Sequence, residues 1–406
     1  MNGVGAPYEM VTDPEALRLA AQGLSRERAI GVDLEADSMF HYPERVCLVQ
    51  FSTPKRDILV DPLSLADLSP LRPVFADPGI RKVFHGADYD MRSLYRDFGI
   101  EVEGLFDTQI AARFLGIRET GLAALLQQKL GEPVEKKFQK KDWSRRPLPG
   151  DMLAYAVQDT RHLLPLSRML EKELRTVGRL SWFREECEIL SRVRPAQPDE
   201  HPLFMRFKGA RRLDPRGLAV LESILQLREE TARMRHLPLF KILGNEPVME
   251  IARTRPETGA DLAGIPGLGP VQQRMLGPAI LKGIREAMAL PEEALPRFPR
   301  SRQRRIGAGA SRRIKALKEW RDRRAEMLGL DPSIVSTNAQ IEALALAHPS
   351  KKKDLEAVAV LRRWQEKTFG QEICELLAED GKGSSRAVTD APKPLGRRGK
   401  TKKRRE

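Results

Sequence analysis

"RAIGVDLEAD" (Arg28–Asp37) is the stretch on which the fold turns. Its apolar lead, Ala29 to Val32, reads as a buried strand, and Asp33 and Glu35 follow two residues apart. Residues two apart on a strand point the same way, so the two carboxylates converge. Two like charges at the edge of a core are costly without a counter-cation. A Mg2+ ion removes that cost and prefers hard oxygen ligands. The same pair also fits a solvent-exposed strand end, with Asp37 as a third acid on the same face. Taken alone, DxE leaves both readings open.

Outward from this strand, "RVCLVQFST", "DILVDP" and "RKVFHGA" read as further short strands bounded by turn residues. Helical patterns alternate with them. In "DYDMRSLYRDFG", Met91, Leu94 and Phe98 share one face, and "DPEALRLAAQGL" is a second amphipathic run. "FDTQIAARFLG" opens on Asp107 as an N-cap and closes on Gly116 as a C-cap. Strands followed by helices predict an α/β domain over residues 1–200.

Past "RVRPAQPDEHP" the β signal fades. "PRGLAVLESILQLREETARMR", "PVMEIARTRP", "TGADLAGI" and "PVQQRMLGPAILKGIREAM" predict a small all-α module over 208–292. Its "IPGLGP" turn fits either a phosphate-holding hairpin or a plain helix connector. A basic linker over 293–310 leads to a second helical module over 311–378. There, "DPSIVSTNAQIEALALAHP" and "DLEAVAVLRRWQEKTFGQEICELL" echo segments of the first module, which points to an internal repeat. The tail, 379–406, is basic and without apolar period, so it is expected to be disordered.

A chain of 406 residues fits two to four domains. With 31% charged residues and mean hydropathy −0.43, it reads as soluble and globular. The first residues lack a signal-peptide pattern, and no apolar run is long enough to span a bilayer. Cys47, Cys187 and Cys374 lie far apart without metal-ligand spacing, which fits buried thiols in a reducing cytoplasm. The net charge of +14 is uneven: −3 for residues 1–200 and +17 for 201–406. A strongly basic half implies a polyanionic partner, most simply a nucleic acid.

Three further acids bear on the DxE pair. Asp88 and Asp90 follow "RKVFHG" at the start of a helix. Asp88 suits an N-cap, and Asp90 is left to project across the strand ends; helix-dipole stabilisation accounts for both equally well. In "YAVQD", Tyr155 and Asp159 stand at i and i+4 and lie side by side on a helix. That spacing also fits the flank of an ordinary amphipathic helix.

Taken in order, DxE on a first strand, an Asp after a later strand and YxxxD on a later helix resemble the three exonuclease motifs of the DEDD superfamily, tyrosine branch. "DLEADSMFHYPERVCLVQ", "KVFHGADYDMRSL", "FDTQIAARFLG" and "DWSRRPLPGDMLAYAVQDTRHLL" resemble the ribonuclease D family. The family's H-x4-D spacing, counted from His85, selects Asp90 over Asp88. The helical modules resemble the helicase-and-ribonuclease-D C-terminal (HRDC) domain. The resemblance implies a ribonuclease H-like exonuclease domain with a mixed sheet, followed by two small all-α domains. It implies that Asp33, Glu35, Asp90 and Asp159 hold two divalent ions, Mg2+ or Mn2+, while Tyr155 orients the attacking water.

The expected activity is metal-dependent 3'-5' exoribonucleolytic trimming of RNA, releasing nucleoside 5'-monophosphates, with tRNA precursors as the family's usual substrate. The expected protein is a monomer with no membrane partner. A DNA 3'-5' exonuclease and a catalytically idle RNA-binding adaptor are the competing readings. In "VEKKFQKKDWSRRP", Lys137, Lys140, Trp143 and Arg146 are candidate nucleic-acid contacts, the indole as a stacking platform. A solvated basic loop with the indole packed beneath it is the alternative.

Overall fold

The computed structural model describes residues 8–133, 137–196, 201–299 and 307–385, with side chains to residue 378. Of the tail 379–406 expected to be disordered, 379–385 instead continue the helix Arg363–Ser385; 386–406, part of the linker and the start of the 134–147 loop lie outside the described residues. Two compact units emerge. One spans residues 1–112 and 117–303, the other 113–116 and 304–406.

The first unit is built on a six-stranded mixed sheet: β1 (Tyr8–Val11), β2 (Ala29–Ala36), β3 (Val46–Ser52), β4 (Asp57–Val60), β5 (Arg81–Phe84) and β6 (Leu105–Asp107). The spatial order is β1-β4-β3-β2-β5-β6. β2 pairs antiparallel with β3 and parallel with β5, so the strand bearing Asp33 and Glu35 is central. β1 and β6, at the two edges, are absent from the strands expected above.

Period-two alternation assigns the two faces of β2 different tasks. Ile30, Val32 and Leu34 enter the main core with Val49, Phe51, Ile58 and Phe75. Gly31, Asp33 and Glu35 therefore face the other way, toward the helix Gly150–Arg161. That side has its own core, in which Cys47, Leu48 and Leu59 pack against Met152, Tyr155 and Ala156. Gly31 is required at the crossing, because a Cβ there would lie 2.8 Å from the carbonyl oxygen of Thr160. The missing side chain lets the helix come down onto the strand beside the acids.

The same unit contains the first helical module, with helices Pro215–Arg235, Asn245–Thr254 and Pro270–Ala289 around one core. The second unit contains helices Ala308–Leu328, Asn338–Ala347 and Arg363–Ser385. Each begins 93 residues after its counterpart. The polar framework repeats at that offset. The Arg228 guanidinium donates to Asn245 Oδ1 at 2.7 Å, and Arg321 to Asn338 Oδ1 at 3.0 Å. Gln272 Nε2 donates to the Ile242 carbonyl, and Gln365 Nε2 to that of Val335. The echo in the sequence is a structural duplication. All three cysteines are free and buried, and among the described residues no helix is long and apolar enough to cross a membrane.

Candidate active site

Asp33 and Glu35 on β2 and Asp159 on the helix Gly150–Arg161 form one cluster, each offering an oxygen within 4.8 Å of the others. The helix is held there by a buried chain of bonds. Ser52 Oγ donates to Asp57 Oδ1 at 2.5 Å and shares a 2.6 Å hydrogen bond with Thr160 Oγ1. Arg161 Nε donates to Asp57 Oδ2 at 3.0 Å. The residues on either side of this anchor are thereby fixed, and Asp159 immediately precedes it.

Burial raises the proton affinity of every acid in the cluster. Asp33 is pushed up to about 7 and Asp159 to about 8, in both cases first by burial. Glu35 reaches about 10, by burial and then by the charges of Asp33, Asp159 and Asp90. Every charge acting on Glu35 is thus another carboxylate. Asp90, in the first turn of the helix Asp88–Phe98, is 7% exposed and raised well above the usual range by burial and by Asp33. It lies within reach of the Asp33 charge without joining the closest three. All the donors are hard oxygens and their mutual repulsion is relieved by a divalent cation, so the residues present fit such an ion.

Asp88 does not cap its helix. Its carboxylate is exposed and takes Arg92 Nε at 2.8 Å, an i,i+4 ion pair. The helix has no side-chain cap; the turn that leads into it is held by Asp107 at the end of β6, which is fully buried. Asp107 accepts from the backbone N–H groups of Gly86, Ala87, Gln109 and Ile110, at 2.7–3.1 Å. One carboxylate thus holds the turn before Asp90 and also starts the helix Thr108–Phe114, as its own sequence context predicts. Asp37 likewise turns away from the cluster, with Oδ1 accepting the Arg45 N–H at 2.8 Å across the β2–β3 loop.

Tyr155 is nearly buried, within hydrogen-bonding reach of Asp159. Burial and the Asp159 and Glu35 charges push its phenol far above its ordinary range, so it stays protonated and can donate. Its proximity lowers Asp159 against the effect of burial. Phe138 packs edge-on to its ring at 5.6 Å and Trp143 lies 6.3 Å away.

The 134–147 candidates separate. Trp143 is 1% exposed, so its ring has no free face on which a base could stack. Arg146 also turns inward, donating to both oxygens of Asp61 and to the Cys47 carbonyl. Its charge thus serves to close the loop onto β3 and β4. Lys137 and Lys140 are exposed.

Gln50 is a site residue that motif reading passed over. It sits opposite Asp33 in the β2–β3 register and is fully buried. With its amide nitrogen toward Asp33, it donates to Oδ2 at 3.3 Å and to the Asp33 carbonyl at 3.2 Å. A single amide inside "VCLVQFS" is the signal that could have found it, since buried polar groups need partners.

Comparison with known proteins gives the family and the fold. A 3'-5' exonuclease family model matches residues 8–175, and an HRDC domain model matches twice, at 217–284 and 310–377. The chain is 32% identical to a ribonuclease D of Gluconacetobacter diazotrophicus over 92% of this chain and 93% of that one. Its fold resembles the crystal structure of Escherichia coli RNase D with a TM-score of 0.69 at 25% identity, covering 92% of this chain and 99% of that one. It also resembles the catalytic core of RRP6 from Trypanosoma brucei, with a TM-score of 0.63 at 31% identity, over 71% and 82% of the two chains.

Proposed function

The chain belongs to the ribonuclease D family of 3'-5' exoribonucleases, and we propose that Asp33, Glu35, Asp90 and Asp159 are its catalytic metal ligands. The observation that supports this reading is the convergence of three half-buried carboxylates within 4.8 Å, with a fourth acid, Asp90, close enough for the Asp33 charge to act on it. When bound there, divalent ions of the Mg2+ or Mn2+ type supply an activated water and stabilise the leaving 3'-oxygen. The protein's own part is geometric. β2 presents two ligands on one face, and the Ser52–Thr160–Asp57 anchor brings the third from the helix. Asp107 fixes the turn that carries the fourth. Tyr155 donates from the rim, orienting the attacking water and holding Asp159. Release is of nucleoside 5'-monophosphates from a 3' end.

The substrate we propose is structured RNA with a single-stranded 3' end, tRNA precursors foremost, processed by a monomer in the cytoplasm. Lys137 and Lys140, both exposed, are proposed to meet its backbone. The five-part division at 1–200, 208–292, 293–310, 311–378 and 379–406 is kept as the proposed domain layout. A time course on 5'-labelled and 3'-labelled RNA with Mg2+ or EDTA, beside a DNA strand of matched sequence, tests the reading. Stepwise shortening of the 5'-labelled RNA in Mg2+ alone is expected. Internal cuts, activity in EDTA or faster digestion of the DNA overturns it.

A further inference from the structure

Most of the positive charge of the second half lies outside the helical modules. Residues 201–216 carry five Lys or Arg against one acid, and 293–309 carry five against one, whereas 217–292 are net neutral. Residues 310–377, the span matched by the second HRDC model, are +3. The two basic flanks are far apart in sequence, yet the described start of the second, 293–299, meets the first. Phe298 packs edge-on against Phe204, ring centres 5.1 Å apart, and the Arg211 guanidinium lies 4.3 Å from the centre of the same Phe298 ring. Leu295 is buried in the core of the first module, which ties the returning segment down.

The result is a seam of exposed cations: Lys208, Arg211, Arg212 and Arg297. Of the nearby acids, Asp214 is committed to Arg255 and to the Gly217 N–H, and Glu222 accepts the Phe204 N–H at 2.9 Å. The seam also borders the active-site domain. Phe207, within it, lies under the Arg228 guanidinium at 5.9 Å. The next residue, Glu229, accepts the Tyr42 hydroxyl at 3.1 Å. Tyr42 belongs to the loop that continues directly from β2 and its acids.

We propose that this seam, and not the helical modules themselves, is the main backbone-phosphate grip for single-stranded RNA, held beside the loop that leaves the metal-binding strand. The inference rests on RNA being the substrate. Exposed cations gathered on both sides of the Phe204–Phe298 contact, with the Arg211 guanidinium against the Phe298 ring, suit a sequence-independent contact to phosphates.

The test uses the full chain in EDTA, so that binding is read without hydrolysis. Anisotropy of a fluorescein-labelled single-stranded RNA is followed across a salt series for wild type and for the triple variant Lys208→Glu, Arg212→Glu, Arg297→Glu. A second triple variant, Lys318→Glu, Lys352→Glu, Lys353→Glu, places equal charge reversal on the second module, and melting temperatures confirm that each folds. Three lost contacts should lower the slope of log K against log salt by about 2 and weaken binding at least about tenfold. The module variant should change far less. Equal losses in the two variants, or no loss in the seam variant, overturns the proposal. Cleavage of saturating short RNA by the seam variant in Mg2+ reads the active site separately, so failure there concerns the catalytic assignment alone.

Discussion

Gln50 and Asp33 face each other across the β2–β3 ladder, and the Gln50 amide donates to both the carboxylate and the main-chain carbonyl of Asp33. The amide thus fixes the orientation of the acid that groups with Glu35 and Asp159 and acts on Asp90 through its charge. Partners of this kind typically contribute 10–100-fold to metal affinity. Gln50→Leu fills the space without donating and is expected to weaken Mn2+ binding about tenfold or more, measured by calorimetry, while substrate-free folding persists. Unchanged Mn2+ affinity in a folded Gln50→Leu protein removes this role from the amide.

Gly31→Ala tests the close approach of strand and helix. A methyl group at 2.8 Å from the Thr160 carbonyl cannot be accommodated by side-chain movement alone, because its nearest neighbour is backbone. Overpacking of this sort typically costs about 1–3 kcal/mol. The helix must shift, and Asp159 shifts with it. A lower melting temperature together with weaker metal binding is expected; stability and metal affinity both at wild-type levels argue against tight apposition.

The raised acids give the metal-free protein an unusual pH dependence. A carboxyl group whose folded pKa lies above its unfolded value of about 4 binds more protons in the folded state, so stability falls as pH rises through that interval. Asp33 at about 7, Asp159 at about 8 and Glu35 at about 10 place the decline between roughly pH 5 and 9 and beyond. Metal ions replace those protons, so the rise in melting temperature caused by Mg2+ should grow with pH. Glu35→Gln should flatten the decline in EDTA. A Mg2+ effect of equal size at pH 5.5 and 8.5 contradicts a proton-for-metal exchange.

Asp88 and Asp90 differ by two residues and by environment. Asp90→Ala removes a buried acid on which the Asp33 charge acts and should abolish hydrolysis, with little harm to metal-free stability because a repelling charge is lost. Asp88→Ala breaks an exposed i,i+4 pair with Arg92 and should be nearly silent in rate, costing at most about 0.5 kcal/mol. Kinetics of the two variants on one RNA substrate decide between them, and the reverse pattern overturns the choice of Asp90.

The central strands were legible because their apolar runs are continuous, as in "VCLVQFS", every residue of which is buried. β1, "YEMV", and β6, "LFD", escaped notice because a four-residue and a three-residue edge strand leave almost no period to read. The ordered acids were legible through their spacing. What supports them was not: Asp107 holds the turn before Asp90 from 20 residues away, and no local pattern announces such a partner. For Trp143 the sequence left two places open, a stacking platform and an indole packed beneath a basic loop; the ring takes the second and fills the space beside Tyr155.

Tyr155 is the residue whose role the structure makes divisible. Its hydroxyl lies close enough to Asp159 to lower the proton affinity of that acid, which favours the ionised, metal-binding form. Tyr155→Phe keeps the ring, and with it the packing on Phe138 and Trp143, but removes the donor. Losing its effect on Asp159 alone would raise the Mg2+ concentration needed, and both higher pH and more Mg2+ would restore the wild-type rate. Losing an orientation of the attacking water is different, because that bond matters mainly in the transition state. Loss of a comparable donor typically costs about 2.7–4 kcal/mol, or roughly 10²–10³ in rate, and saturating metal does not recover it. Both effects are expected together: a higher Mg2+ requirement at pH 7 that lessens as pH rises, and a kcat deficit of at least about 10² that persists at saturating Mg2+, with KM for RNA nearly unchanged. Full recovery of kcat at high Mg2+ and high pH would leave Tyr155 as a support for Asp159 and take away its part in positioning water.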